Sequence, residues 1–443
     1  MRRFVLATFA LAALTAAASA NPVLMISIDG LRPADIIDAK ARGLNLPHLT
    51  AFLAEGAYAT GVRNTLPTVT YPDHTTLITG VWPSTHGVTN NTVFDPLAKN
   101  MGGWYWYASD IKVPTLWDAV HAAHGVTASL SWPVSVGDAS IDWSIPEYWR
   151  TFYAPEDEKL NAALSTPGLP AALAAATGLS ADTLYATDGD NDITWARYAA
   201  ALIALKHPQF MTLHVSSLDH YQHVAGPGSD KAHAILEKLD SSIGALIDDA
   251  RKTEPDLVIA IVSDHGFANV DHDVNLMPAF VDAGLVTLDP KTSKPTAWQA
   301  EPWEAGGSVA IMLADPSDKA VKDKVAALLK KLADDPANGI AQVIDRDGIA
   351  KRNGGPEPSF WVDLKIGYSA GHNSTGPIVT APSLKGMHGY FPSHPEMRAT
   401  FMIAGPGIPK KGSLGEIDMI DIAPTLAKIL DVKLPTATGK PLF

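Results

Sequence analysis

Val23-Leu24-Met25-Ile26-Ser27-Ile28-Asp29-Gly30 carries five apolar residues and one small hydroxyl directly onto a carboxylate and a glycine. A short apolar run without polar alternation reads as a strand buried on both faces, the pattern of a parallel sheet covered by helices. Three further runs repeat it: Phe210 to Val215 before Ser216, Leu257 to Val262 before Ser263-Asp264, and Ala399 to Ala404 before Gly405. Between them lie helical stretches such as Ala232 to Asp249, where Ile235, Leu236, Leu239, Ile243, Leu246 and Ile247 recur at near-helical spacing. This alternation predicts an α/β fold with a mostly parallel central sheet and helices on both faces. Such sheets bind ligands in the crevice outside the carboxyl ends of the strands.

Two stretches break the rhythm. Residues 138–192 are rich in Pro, Trp and Tyr, and 289–383 carry many charges and Pro or Gly turns, including Asn353-Gly354-Gly355-Pro356. Both read as inserted caps around a single catalytic domain spanning 21–443. With 443 residues, 46% hydrophobic and 11 of them Trp, the chain has ample material for a packed core.

Residues 1–20 have the pattern of a secretory signal: Arg2-Arg3, an apolar stretch from Phe4 to about Ala17, then Ala18-Ser19-Ala20. The apolar part is short for a bilayer span, which needs about 20 residues. The expectation is a periplasmic or secreted protein beginning at Asn21, with no stable membrane span. The absence of Cys excludes disulfides, thiolate ligands and thiol nucleophiles, so any metal site must use His and carboxylates. Without Arg2 and Arg3 there are 32 basic residues against 47 acidic, a formal charge of about −15. That disfavours a nucleic-acid polymer as partner, but bound divalent ions could still reverse the local field for a small phosphate ester.

Thr70-Tyr71-Pro72-Asp73-His74 places a hydroxyl where a proline-initiated helix begins, facing the positive end of the helix. It reads either as a nucleophile or as a helix cap. Asp219 and His223 are four apart and share one side of a helical turn; a surface Asp with a capping His is the plainer reading. Asp264-His265-Gly266 and Asp29-Gly30 each follow a buried strand, and His388 lies between Gly386 and Gly389. Jointly these units supply two sets of ligands suited to a pair of Zn2+ ions.

The ordered set Ile28-Asp29-Gly30, Thr70-Tyr71-Pro72-Asp73-His74, Thr79-Gly80, His86-Gly87-Val88, Asp219, His223-Val224-Ala225-Gly226-Pro227, Ser263-Asp264-His265-Gly266 and His388-Gly389-Tyr390 resembles the nucleotide pyrophosphatase/phosphodiesterase family of the alkaline phosphatase superfamily. Asp421-Ile422-Ala423-Pro424-Thr425-Leu426 closes the resemblance near the C-terminus, and Ser131-Trp132-Pro133 also fits it. The resemblance implies an alkaline-phosphatase-like core. It also implies one zinc on Asp219, His223 and His388, a second on Asp29, Thr70, Asp264 and His265, and Thr70 as nucleophile. Asn91 falls where the family places an amide on a phosphoryl oxygen, and Tyr71 where an aromatic lines the leaving-group or base pocket.

Two positions depart from the pattern. Asp73 stands where the family usually has Asn, and is read as supporting or capping; Val134 follows Trp132-Pro133 where Gly is usual. His74, His86 and His220 are read as packing or supporting groups. Trp143, Tyr148 and Trp149 are read equally as stacking platforms or core. The resemblance implies a hydrolase of phosphodiesters or pyrophosphates. A phosphomonoesterase would require a cation on the third phosphoryl oxygen, for which Lys385 and Arg63 are the unplaced candidates. A non-catalytic binding protein would be expected to have lost a ligand or the nucleophile.

Overall fold

The computed structural model describes residues 20–443 apart from 101 and 186–188. The expected signal segment lies outside the described residues except for Ala20. Eight strands form the central sheet, in the order Gly412–Ser413, Ala57–Tyr58, Phe401–Ala404, Val258–Val262, Val23–Ile28, Phe210–Val215, Thr127–Leu130, Trp143–Ile145. From Val258–Val262 to Trp143–Ile145 every neighbouring pair is parallel. The fold is therefore the mixed α/β architecture that the apolar runs predict.

Alternation along the central strand divides the core. Leu24, Ile26 and Ile28 pack with the helices Asp190–Lys206 and Asp230–Thr253. Val23 and Met25 pack on the other face with Leu77, Trp117 and Leu426, from the helices Thr70–Thr79, Leu116–Ala122 and Ile422–Ile429. The periodic residues read from Asp230–Thr253 are all buried, and Ser229 caps that helix by accepting the Ala232 N–H at 3.2 Å.

Register brings the reactive ends together. Ile28 lies opposite Val215, and Ser27 opposite Val262, so Asp29, Ser216 and Ser263-Asp264 leave the sheet at one edge. Phe401–Ala404 instead runs antiparallel to Val258–Val262, with Phe401 opposite Val262. It begins at the reactive edge and leads away from it, so its carboxyl end at Gly405 carries no site residue.

The two irregular stretches are built differently. Trp143–Ile145 extends the central sheet by pairing with Thr127–Leu130, because a parallel edge strand covers backbone groups that would otherwise face solvent. Residues 289–383 hold a separate antiparallel sheet in the order Ala300–Glu304, Ser308–Leu313, Phe360–Leu364, Ile340–Asp345, packed on the helix Lys319–Asp334 through Val325 and Leu329. This sheet reaches the reactive edge: the Gly307 N–H donates to His388 O at 2.7 Å, and the Ser308 hydroxyl to Gly389 O at 2.6 Å.

Ile26 is fully buried in the central strand, whereas Leu205 is 49% exposed. Ile26→Ala is expected to lower unfolding free energy by about 2–5 kcal/mol in urea titration, and Leu205→Ala by about 0.5 kcal/mol or less.

Candidate active site

Asp29 is held at the end of its strand by its own N–H, which donates to Val215 O at 3.0 Å. Asp264 turns back onto the backbone: its Oδ1 accepts the Gly30 N–H at 3.1 Å and the His265 N–H at 2.9 Å. Asp219 and His223 lie on the short helix Ser217–Ala225, one turn apart, with Oδ1 and Nε2 separated by 3.4 Å. His388 depends on Gly389, whose φ is +85° and where a Cβ would sit 1.8 Å from Ala305 O. Only glycine lets the chain pass there.

These residues converge in two groups, Asp29 with Asp264 and His265, and Asp219 with His223 and His388. The His265 and His388 rings stack at 3.6 Å between centroids and 8° between planes, which sets the groups side by side. Thr70 opens the helix Thr70–Thr79, and its Oγ1 lies 3.4 Å from His265 Nε2. The nucleophile candidate therefore belongs to the first group.

The three imidazoles share one hydrogen-bonding arrangement. Nδ1 of His223, His265 and His388 faces the backbone carbonyls of Gly386, Gly266 and Thr68 at 3.0, 3.1 and 3.1 Å. A carbonyl only accepts, so Nδ1 carries the proton and each Nε2 presents a lone pair, the tautomer of a metal ligand. Burial pushes His265 and His388 well below the usual histidine range, which keeps both rings neutral. Opposite these lone pairs, Asp29 Oδ1, Asp219 Oδ1 and Asp264 Oδ2 have no hydrogen-bond partner. Burial, then the neighbouring Asp264 and Asp219, raises the Asp29 carboxyl well above its ordinary value; burial raises Asp219 to about 6. Acceptors facing acceptors in a dry cleft repel, and a divalent cation in each group turns the repulsion into coordination. The donor set fits such ions.

Asn91 Oδ1 accepts the Tyr71 N–H at 2.9 Å, so the amide nitrogen, a pure donor, is not engaged by that bond. Tyr71 stands where the resemblance implies an aromatic lining the leaving-group or base pocket. It is 1% exposed, beneath the edges of Trp104 and Trp106, at 5.2 and 5.9 Å between centroids. The segment 102–106 covers it, and Trp104 supplies the half-buried aromatic surface there. Tyr148 and Trp149 join the same cluster through Trp106, while Trp143 lies at the sheet edge under Lys206.

Among the supporting groups, His74 bridges Ser27 Oγ and Thr70 O at 2.8 Å each, and burial pushes it down to about 3. His86 contacts Thr76 Oγ1 at 3.0 Å and is likewise pushed to about 3 by burial, whereas His220 is exposed. Asp73 does not cap its own helix. Its Oδ1 accepts the Thr65 N–H at 3.0 Å, fixing the segment whose Asn64 side chain donates to Asp264 O. Arg63 is taken by Glu416 and Asp418. Lys385 is exposed and donates its main-chain N–H to His223 O at 2.8 Å.

Sequence reasoning missed His214, Asn64 and Glu147. His214 Nε2 lies 3.1 Å from Asp29 Oδ2, and its Nδ1 3.1 Å from Ser131 O. A histidine inside an otherwise apolar buried strand was the available signal. Glu147 accepts the Trp149 indole N–H at 3.2 Å and adds to the charge that raises Asp29, a role visible only in three dimensions.

The family model for type I phosphodiesterase/nucleotide pyrophosphatase matches residues 23–391. Rat ectonucleotide pyrophosphatase/phosphodiesterase family member 1 is 25% identical over 257 residues, which is 55% of this chain and 24% of that protein. The chain thus spans about a quarter of that relative's length. An uncharacterized pyrophosphatase/phosphodiesterase of Schizosaccharomyces pombe is 24% identical over 435 residues, 95% of this chain and 79% of the relative. The solved structure of human ectonucleotide pyrophosphatase/phosphodiesterase 5 superposes with a TM-score of 0.64 at 19% identity, covering 95% of this chain and 97% of that one. The murine protein, in an inactive variant in complex with AMP, gives 0.64 at 18% identity, with 95% and 97% covered. With a family model spanning most of its length and a fold to match, this chain belongs to the type I phosphodiesterase/nucleotide pyrophosphatase family of the alkaline phosphatase superfamily.

Proposed function

We propose that the protein hydrolyses phosphodiester or pyrophosphate bonds of nucleotide-type substrates through a phospho-threonine on Thr70, with two zinc ions in the paired ligand groups. The observation that carries this is Thr70 Oγ1 at the start of a helix, 3.4 Å from a ligand-type nitrogen of one group and beside the second group. Asp29, Thr70, Asp264 and His265 would hold one ion, and Asp219, His223 and His388 the other. When bound, the ions supply charge neutralisation and Lewis-acid polarisation of the phosphoryl oxygens.

The chain itself positions and orients. The helix start favours the Thr70 alkoxide over the alcohol. An Oγ1–P bond forms as the bond from phosphorus to the leaving oxygen breaks; water then cleaves Oγ1–P, regenerating the threonine. The Asn91 amide nitrogen donates to a non-bridging oxygen, held in orientation by the Tyr71 N–H on its Oδ1. His74 Nδ1 donates to Thr70 O, so its Nε2 accepts from the Ser27 hydroxyl, and the ring fixes the first turn of the helix.

A diester is favoured over a monoester because Arg63, one of the two candidate cations for a third phosphoryl oxygen, is taken by Glu416 and Asp418. The AMP bound to the murine relative supports a nucleotide-type group. No helix among the described residues is long and apolar enough to cross a membrane, and the apolar N-terminal stretch supports export to the periplasm or medium.

Thr70→Ala is expected to reduce kcat/KM by roughly four orders of magnitude while zinc content by elemental analysis is unchanged. Near wild-type turnover with zinc bound would remove Thr70 from the nucleophile role. For the zinc-loaded mature protein, kcat/KM on bis-p-nitrophenyl phosphate should exceed that on p-nitrophenyl phosphate. The reverse order would make the protein a threonine-dependent phosphomonoesterase.

Metal linkage gives a third expectation. Burial raises the Asp29 and Asp219 carboxyls, so the chelated protein holds protons that the unfolded chain releases above 3.8, and it loses that stability as pH rises through the folded value of Asp219, about 6. Zinc needs the same carboxylates deprotonated. The rise in Tm on adding zinc should therefore be larger at pH 8 than at pH 5.5; an equal or smaller rise at pH 8 would speak against these ligands.

A further inference from the structure

Phe267 packs against the rings of His223, His265 and His388, at 4.8, 6.0 and 5.4 Å between centroids, and also lines a recess of about 490 Å³ that contains none of the ligands. Its other walls come from segments that leave or enter the central sheet at the reactive edge. Arg32 and Pro33 follow Val23–Ile28, Thr60 and Gly61 follow Ala57–Tyr58, and Arg398 precedes the antiparallel Phe401–Ala404. Crevices outside the carboxyl ends of the strands are where such sheets take ligands.

Arginine is concentrated here. Of the nine arginines beyond residue 20, Arg32, Arg42 and Arg398 line the recess and Arg63 reaches Glu416 on its wall. Acids do not match them one for one. Asp35 Oδ1 meets Arg32 Nη2 at 2.8 Å and Arg42 Nε at 2.9 Å, so two guanidiniums stand side by side on a single carboxylate. Asp35 itself is 2% exposed and is not part of the wall. Backbone carbonyls lock the arrangement: Arg32 Nη2 donates to Pro227 O and Arg398 Nη1 to Pro392 O, each at 2.6 Å. Arg398 Nε donates to Glu416, which also accepts from Arg63. Among the described residues, Arg32 Nη1, both Nη atoms of Arg42 and Arg398 Nη2 donate no hydrogen bond. Glu396, the other acid on the wall, is exposed, where solvent screens its charge.

Two guanidiniums on one carboxylate leave a positive charge unmatched and N–H donors open. Planar guanidinium forks pair with the oxygens of carboxylates and phosphates. With Arg398 on the same wall, the open donors outnumber the two oxygens of a carboxylate and suit the three terminal oxygens of a phosphate monoester. Phe267, Pro33 and Pro395 add apolar surface for an organic group.

We propose that this recess is a second anion site, which takes the phosphate group of a phosphomonoester between Arg32, Arg42 and Arg398. The site goes beyond the hydrolase reading and does not depend on it, since no residue of the recess belongs to either ligand group.

The test uses the full mature chain treated with chelator, in which a phosphate at the catalytic groups would meet carboxylates and no cation. Calorimetry should show one equivalent of AMP bound. Arg42→Gln and Arg398→Gln should each weaken binding at least roughly tenfold, the loss expected for one charge-assisted hydrogen bond. With zinc restored, Arg42→Gln should hydrolyse bis-p-nitrophenyl phosphate as the wild type does, which separates loss of the recess from loss of the fold. Inorganic phosphate that binds as tightly as AMP upholds the site with the phosphate group alone as its ligand; tighter AMP binding upholds it with a contribution from the apolar wall. Acetate binding as tight as AMP, no AMP binding by the wild type, or AMP binding untouched by both variants overturns the proposal. A wild type that binds AMP through Arg42 yet hydrolyses neither nitrophenyl ester keeps the anion site and loses the hydrolase reading.

Discussion

The registered pairing of Val23–Ile28 with both neighbours is the constraint on which the site depends. With Ile28 opposite Val215 and Ser27 opposite Val262, three strand ends emerge at one height, and the residues that follow them have nowhere to go but the same cleft. A slip of one residue in either pair would turn every side chain of that strand to the opposite face. It would exchange Ile26 and Ile28 with Met25 between the two cores and carry Asp29 away from Asp264. The packing of both helical layers and the convergence of the ligands are thus enforced by the same contacts.

The electrostatics of the cleft oppose folding rather than favour it. Three carboxylates with open lone pairs face three imidazoles whose protons are already committed to backbone carbonyls. The strand core and the helices must overcome that repulsion in the absence of cations, which is why the ligands stand on rigid elements instead of long loops. His388, the exception, sits in a loop, and it is the ligand that the separate antiparallel sheet reaches to hold through Gly307 and Ser308.

The central sheet was legible because fully buried parallel strands write themselves as apolar runs, and the ligands because strand ends bear Asp or Asp-His directly after such runs. Residues 289–383 were not legible as a sheet. Ser308–Leu313 and Phe360–Leu364 are buried throughout, but the charged helix Lys319–Asp334 between them dominates the composition of the stretch. The burial of Tyr71 was not legible for a related reason: its neighbours in sequence are site residues, but its cover comes from Trp104 and Trp106, more than thirty residues away. His214 could have been noticed as a polar residue in a buried strand. Glu147 could not, because nothing local distinguishes it from a surface acid in a Trp-rich segment.

These nonlocal elements also explain how one core can serve different substrates. Asp29, Asp264 and His265 follow strand ends fixed by the sheet and Asp219 and His223 stand on the helix Ser217–Ala225, whereas the rings and acids around them come from the segments 92–106 and 143–152 and the strand Ala300–Glu304. With Trp104 and Trp106 packed over Tyr71, aromatic rings from a distant segment cover the first turn of the helix Thr70–Thr79, next to Thr70 itself.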